Sequence, residues 1–146
     1  MSNEPIKALL IEDNTSDYSI ILNMLDKSEI TEFDVITSPK FSNGLKILET
    51  KKFDVILLDL DVSHNEGLES FKEILKRYIT MPIIILASLA DEEIGIESIK
   101  YGVQDYLVKG EFNGKLLVRA VQYAIERKKL EGLFVYWNQK KINRTI

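Results

Sequence analysis

Short, largely apolar segments alternate along the chain with segments in which apolar residues recur every three or four positions. The apolar segments are Lys7–Ile11, Phe33–Thr37, Asp54–Leu58, Ile83–Leu86 and Asp105–Val108. Segments of this length and composition are typical of strands that are buried on both faces, which is the pattern of a parallel sheet.

The intervening segments have the periodicity of helices. Helices are predicted at Ser16–Lys27, from Ser38 onward, across Leu68–Tyr78, at Asp91–Tyr101 and from Asn113 onward. Ser38 and Pro39 suit the N-cap and first turn of the second helix, and Gly102 suits the position that follows the fourth. Alternating strands and helices of this kind predict a doubly wound (βα)5 fold of the α/β class, with helices on both faces of the sheet.

Composition predicts one domain and excludes several kinds of site. The chain has 146 residues, no cysteine, one histidine and a net charge of −4. Disulfides, cysteine-based zinc sites and histidine-rich metal sites are therefore excluded, and direct nucleic acid binding is not expected. The N-terminus has no signal-peptide pattern and no apolar run is long enough to span a bilayer, so a cytoplasmic protein without membrane contact is predicted.

The composition changes after Lys129. The basic run ERKK, residues 126–129, precedes LFVYW, residues 133–137, and a polar, basic end. We predict a domain over residues 1–128 and a C-terminal helical extension or linker over residues 129–146. If the last helix continues into LFVYW, these side chains form an exposed apolar patch, and helix-mediated dimerisation is a hypothesis.

Charged residues follow three of the predicted strands directly. Glu12 and Asp13 follow the first strand, Asp59 the third and Lys109 the fifth, while Ala87-Ser88 ends the fourth. The carboxyl ends of parallel strands form one rim, where ligands bind, so these residues should converge. Crowded carboxylates repel one another, and Mg²⁺, which prefers oxygen ligands, relieves that repulsion. A metal ion and a lysine beside a carboxylate form a phosphoryl-binding arrangement, and we hypothesise that Asp59 receives the phosphoryl group as an acyl phosphate.

Several motifs occur in the order and at the spacing of a known family. They are ALLIEDN at residues 8–14, FDVILLDL at 53–60, Gly67, Pro82 before the fourth strand, and GVQDYLVKG at 102–110. On these residues the chain resembles the CheY-like response-regulator receiver domains of two-component signal transduction, over about residues 5–128. The resemblance implies a flavodoxin-like, five-stranded parallel sheet in the order 2-1-3-4-5.

The resemblance also implies roles for individual residues. The implied site comprises the phosphoacceptor Asp59; the Mg²⁺ ligands Glu12, Asp13, Asp59 and the backbone carbonyl of Asp61; the phosphoryl-contacting Lys109; and the aromatic switch residue Tyr106. The implied phosphoryl donor is a sensor histidine kinase or a histidine phosphotransfer protein. The implied output surface is built from the fourth helix, fifth strand and fifth helix, and the chain could form a homodimer through this surface or through the C-terminal extension.

Several positions depart from the family pattern. Ala87 stands where the family has a threonine or serine that contacts the phosphoryl group, so that only its backbone can make a contact there. Ser88 supplies a hydroxyl one residue later, which in a strand points to the opposite side unless the loop turns it back. Val62-Ser63 replaces the usual Leu-Pro, Asp61 adds a negative side chain near the acceptor, and Gly110 follows the lysine where many members have proline.

Two alternative functions remain open. Ala87 motivates a degenerate receiver that works as a protein-interaction module without phosphorylation. The stretch DLDVS, residues 59–63, resembles the D-x-D-x-[TV] signature of haloacid dehalogenase-like phosphohydrolases, with Asp59 as nucleophile and Asp61 as acid/base, although that signature normally follows the first core strand. The receiver interpretation predicts a signalling switch rather than a stand-alone metabolic enzyme.

Overall fold

The computed structural model describes residues 4–59, 75–77, 80–91, 93, 96, 99, 100 and 102–145. Its elements are β1 (Ile6–Ile11), α1 (Thr15–Asp26), β2 (Phe33–Ser38), α2 (Phe41–Thr50), β3 (Val55–Asp59), β4 (Ile83–Ala87), a 3-10 helix (Leu89–Asp91), β5 (Asp105–Val108) and a C-terminal helix (Gly114–Thr145). Residues 75–77, 93, 96 and 99 are also helical. Asp61, Val62-Ser63, Gly67 and most of the predicted third helix lie outside the described residues.

The strands of the described residues form one parallel sheet in the order β2-β1-β3-β4-β5. Ile11 pairs with Leu58, the residue before Asp59, and Ala87 pairs with Val108, the residue before Lys109. The strand ends that precede the predicted site residues are therefore level with one another. This sheet, with helices packed on it, confirms the doubly wound α/β fold and the strand order 2-1-3-4-5.

Two apolar layers cover the two faces of the sheet. Successive strand residues point to opposite faces, so each central strand contributes to both layers. The first layer packs α2 on the sheet and includes Leu9, Ile11, Ile56, Leu58, Ile85, Phe41 and Leu48. The second layer packs α1 and the C-terminal helix on the sheet and includes Ala8, Leu10, Leu57, Leu86, Ile21, Leu25, Leu117 and Val121. Each fully buried leucine or isoleucine contributes about 1.5–3 kcal/mol relative to an exposed one, so burial on both faces stabilises the sheet that carries the strand ends.

Ser38 does not cap the second helix, contrary to the prediction. It is the last residue of β2 and is fully buried, and its Oγ donates to the carbonyl of Lys40 at 2.8 Å. Its own carbonyl accepts a hydrogen bond from the backbone N–H of Glu12 at 3.0 Å. Helix α2 begins only at Phe41, so Pro39 precedes the helix instead of occupying its first turn. Pairing with β1 extends the strand through Ser38 and outweighs the local capping preference.

The C-terminal helix begins beside the sheet and extends past it. The Arg127 guanidinium still donates to the carbonyl of Gln104 at 3.2 Å, whereas the side chains of residues 129–141 are all exposed. The helix is continuous across residue 128, and the division into a domain and an extension at that residue stays a prediction. The helices of the described residues are too short or too polar to cross a membrane.

Candidate functional site

Asp59 occupies the carboxyl end of β3 and is fully buried. The strand extends one residue further than predicted, so Asp59 is itself a strand residue and pairs with Leu86 of β4. The four residues before it, Val55–Leu58, are apolar and fully buried. A carboxylate in these surroundings is costly unless a cation or hydrogen bonds compensate its charge.

Lys109 brings a compensating cation to this carboxylate. Its backbone N–H donates to the Ala87 carbonyl at 2.8 Å, which continues the β4–β5 ladder and fixes the start of the side chain. The Nζ atom lies 2.7 Å from Asp59 Oδ2, 3.0 Å from Glu12 Oε2 and 3.0 Å from Asp17 Oδ2. Burial lowers the pKa of Lys109, but hydrogen bonds to Asp59 and Asp17 outweigh burial, and the pKa lies above its ordinary value. Lys109 therefore supplies a permanent positive charge at neutral pH.

Glu12 is a second buried carboxyl group at this edge of the sheet. Its Oε1 accepts the backbone N–H of Asn14 at 3.1 Å. Its Oε2 is buried and, although it forms an ion pair with Lys109, it receives no well-aligned hydrogen bond. Burial and then the neighbouring Asp59 raise the pKa of Glu12 to about 8, against the opposing effects of Asn14 and Lys109. Glu12 is therefore mostly protonated at neutral pH when no further cation is present.

Asp17 adds a third carboxylate that the strand ends alone do not predict. Carboxylate oxygens of Glu12, Asp17 and Asp59 all lie within 4.8 Å of one another, a spacing that could hold a metal ion. Asp17 lies in the first turn of α1, where its backbone N–H donates to Oδ1 of the N-cap Asn14 at 3.0 Å. The signal in the sequence is an acidic residue in the first turn of the helix after β1, because such a helix begins at the edge where the strand ends.

The structure does not bring Asp13, a further predicted ligand, into this cluster. Asp13 follows Glu12 directly, but its side chain is exposed, and its carboxylate is not one of the three that approach one another among the described residues. Asp61 lies outside the described residues. The roles of Asp13 and of the Asp61 carbonyl as Mg²⁺ ligands stay predictions.

Ser88 directs its hydroxyl toward a neighbouring acid in this structure. Its Oγ donates to Asp91 Oδ2 at 2.9 Å, and the Asp91 backbone N–H donates back to the Ser88 carbonyl at 3.0 Å. Ser88 lies between β4 and the 3-10 helix, and Asp91 is the last residue of that helix. Ala87, one residue earlier, is fully buried and uses its carbonyl to hold Lys109. The contacts of the Ser88 hydroxyl and the Ala87 backbone with a phosphoryl group stay predictions.

Gly110 has a backbone conformation that explains its departure from the family pattern. Its φ is +85°, in the left-handed region that glycine adopts readily. Proline is restricted to φ near −65°, so it could not take this conformation. The described residues contain no cis peptide bond, and this includes the bond between Lys109 and Gly110.

Tyr106 lies in β5, three residues before the lysine. It pairs with Ile85 of β4, is partly buried and packs against the apolar layer that contains α2. Its backbone N–H is bonded to Asp105 Oδ1 at 2.9 Å. Packing against the α2 layer accounts for an aromatic residue here, and its role as a switch stays a prediction.

Comparison with known proteins identifies the family of this chain. The profile of the response regulator receiver domain matches residues 8–122. The chain belongs to the response regulator receiver domain family. Receiver domains are signalling domains of two-component systems, and they generally bind Mg²⁺ at an acidic pocket.

Several receiver-containing proteins are similar to this chain. The nisin biosynthesis regulatory protein NisR of Lactococcus lactis is 36% identical over 121 residues, which cover 83% of this chain and 51% of NisR. The cell cycle response regulator CtrA of Brucella ovis is 31% identical over 114 residues, which cover 78% of this chain and 48% of CtrA. A receiver domain protein of Clostridium thermocellum superposes with a TM-score of 0.72 at 31% identity, covering 86% of this chain and 98% of that one. The chain thus spans about half the length of the two curated relatives.

The residues at the receiver site suit a divalent cation. Glu12 and Asp59 are buried oxygen donors, and Asp17 adds a half-exposed one. The buried Oε2 of Glu12 lacks an aligned donor, so a cation bound there would satisfy an atom that the protein leaves without a hydrogen bond. Oxygen-only donors of this kind are the ligands that Mg²⁺ prefers.

Proposed function

We propose that the chain is a phosphoacceptor receiver domain in which Asp59 accepts a phosphoryl group from a histidine of a partner protein. One observation carries the proposal: the fully buried Asp59 carboxylate lies 2.7 Å from the Lys109 ammonium at the edge of a parallel sheet where ligands bind. If Lys109 only neutralised Asp59 in the folded protein, that one ion pair would suffice. Glu12 and Asp17 also surround the lysine, which such a role does not require.

The proposed transfer exchanges one bond to phosphorus for another. An oxygen of Asp59 bonds to phosphorus while the bond from phosphorus to the donor imidazole breaks, and the imidazole nitrogen keeps the electron pair and takes up a proton from solvent. Lys109 lies beside the attacking oxygen, where its charge offsets negative charge on the transferring group. Burial of Asp59 strengthens this electrostatic effect because little water screens it.

Mg²⁺ is the cofactor that we assign to this site. Glu12, Asp13, Asp59 and the backbone carbonyl of Asp61 would hold it. When bound, it would supply positive charge that offsets the charge of the phosphoryl oxygens.

The partners follow from the proposed chemistry. The phosphoryl donor would be a sensor histidine kinase or a histidine phosphotransfer protein. Phosphorylation would bias a conformational equilibrium in which Tyr106 responds and the surface of the fourth helix, β5 and the start of the C-terminal helix changes. A homodimer would use this surface or the C-terminal extension, where Leu130 and residues 133–137 are each more than half exposed.

A phosphorylation-independent interaction module is the second candidate function. The observation that favours it is at the end of β4, where Ala87 offers no hydroxyl and the Ser88 hydroxyl is bonded to Asp91 at 2.9 Å. A receiver that lacks this hydroxyl contact could accept a phosphoryl group without transmitting a conformational change.

Intact-mass measurement after incubation with acetyl phosphate and Mg²⁺ tests the proposal. Wild type should gain one phosphoryl group, and Asp59→Asn should gain none. Asp54→Asn is the matched control, because Asp54 precedes the same strand at its opposite end and bonds to the Lys7 backbone N–H, far from the site. No adduct on wild type, together with no Mg²⁺-dependent binding of beryllofluoride, would favour the interaction module.

A further inference from the structure

The Lys109 ammonium contacts carboxyl groups from three separate parts of the chain. Asp59 ends β3, Glu12 follows β1 and Asp17 lies in the first turn of α1. The distance of 3.0 Å between Nζ and Asp17 Oδ2 equals the distance to Glu12 Oε2. The hydrogen bond to Asp17 joins residues 92 positions apart in the chain, and it connects Lys109 to α1.

Asp17 is itself held in place by the start of α1. Its backbone N–H donates to the Asn14 side chain at 3.0 Å, and it occupies the acidic first turn where the helix dipole favours a carboxylate. A residue in a capped helical turn has less freedom than one in a loop. The capped turn thus fixes the backbone from which the Asp17 carboxylate reaches Lys109.

A contribution to folding stability does not explain the contact between Asp17 and Lys109. The Asp17 side chain is 37% exposed, whereas those of Glu12 and Asp59 are fully buried. Partly exposed ion pairs add little to the free energy of unfolding, because solvent screens them and ordering the side chains costs entropy. The buried charge of Asp59 is already compensated by Lys109 without Asp17.

We infer that Asp17 is a positioning residue that holds the Lys109 ammonium on the α1 side of the Asp59 carboxylate during phosphoryl transfer. The inference rests on the proposed function. Once an Asp59 oxygen bonds to phosphorus, the contact between Asp59 and Lys109 changes. A cation held by the ligands proposed above would occupy Glu12 and not Asp17. Asp17 then remains to orient a lysine whose four-carbon side chain is otherwise flexible.

Phosphorylation kinetics at saturating Mg²⁺ test the inference. Asp17→Asn should slow acyl phosphate formation from acetyl phosphate by about three- to tenfold, because the lysine keeps its other contacts but loses one restraint on its direction. Asp17→Glu should restore most of the rate, since it keeps the carboxylate. Asp26→Asn is the matched control: Asp26 is an exposed acid in the last turn of the same helix, and the substitution should leave the rate unchanged.

A spectroscopic measurement separates positioning from a general effect on structure. In nitrogen-15 NMR of the metal-free protein, the Lys109 ammonium should give a resolved Nζ signal in wild type and Asp26→Asn, and the signal should broaden or shift in Asp17→Asn. The signal is identified by its loss in Lys109→Arg. A Lys109 signal that is identical in wild type and Asp17→Asn would overturn the inference.

The outcomes distinguish the inference from the proposed function. If wild type and Asp17→Asn are phosphorylated at the same rate, the proposed function stands and the inference is overturned. If Asp17→Asn needs more Mg²⁺ but reaches the wild-type rate at saturation, Asp17 is a cation ligand and the inference is also overturned. If wild type takes up no phosphoryl group, the proposed function itself fails.

Discussion

Gly44→Ala should lower the free energy of unfolding, because α2 approaches β1 closely at this glycine. A Cβ atom at Gly44 would lie 2.7 Å from Cδ1 and 3.1 Å from Cγ1 of Ile11. Ile11 is fully buried between α2 and the sheet, so its side chain cannot move into solvent. Overpacking a core costs about 1–3 kcal/mol, whereas alanine gains about 1 kcal/mol over glycine in helix propensity. The expected net loss is about 1 kcal/mol.

A second substitution isolates the steric part of this loss. Ile11→Val removes Cδ1, the atom nearest to the new methyl group, and on its own should cost about 1 kcal/mol. In the double variant the shortest clash is absent. We therefore expect the double variant to be more stable than the sum of the two single effects predicts, by about 1 kcal/mol.

Urea unfolding followed by far-UV circular dichroism measures all four proteins of this cycle. Fluorescence is a poor probe, because the single tryptophan, Trp137, is 57% exposed on the C-terminal helix outside the core. Equal m-values across the cycle would show that the same surface is exposed on unfolding. Two outcomes would refute the close approach of α2 to Ile11. In one, the losses of stability of the two single variants add up to that of the double variant within about 0.5 kcal/mol, and in the other, Gly44→Ala is as stable as wild type.

Three further predictions concern residues at or next to the carboxyl ends of the strands. Each is tested by the free energy of unfolding of the metal-free protein, measured by urea unfolding in the presence of EDTA. Because Glu12 keeps its proton in the native state up to a pKa of about 8 but loses it near 4.5 when unfolded, the free energy of unfolding should fall as pH rises between these values, by up to about 1.4 kcal/mol per pH unit. Glu12→Gln should lack this part of the slope, and parallel pH profiles of the two proteins would contradict the assignment. Lys109→Met should cost about 3 kcal/mol near neutral pH, because it leaves the buried Asp59 charge without its cation, and an unchanged midpoint would argue against that pairing. Asn14→Ala should cost about 1 kcal/mol by removing the side-chain cap of α1, and a variant as stable as wild type would show that the cap is dispensable.

Local patterns in the sequence determined the fold and most of the buried site. The predicted strand Asp105–Val108 agrees with the structure at both ends, and the other strands differ by a residue or so at their ends. Apolar strands alternating with helices allow few arrangements other than a covered parallel sheet. In such a sheet the strand ends are level, so Glu12, Asp59 and Lys109 meet although they are far apart in the chain.

The tertiary structure decided two kinds of contact. In one, a residue could belong to either of two elements, and in the other, two elements that are distant in the sequence pack against each other. Ser38 carries a capping signal, but its pairing with β1 makes it the last residue of a strand. Asp17 joins the site because α1 packs on the sheet beside the C-terminal helix, with its first turn facing Lys109. Gly44 is needed because α2 packs against Ile11. Periodicity and capping depend on neighbours along the chain, whereas these contacts depend on the distance and angle between packed elements, which are set only when both apolar layers are buried together.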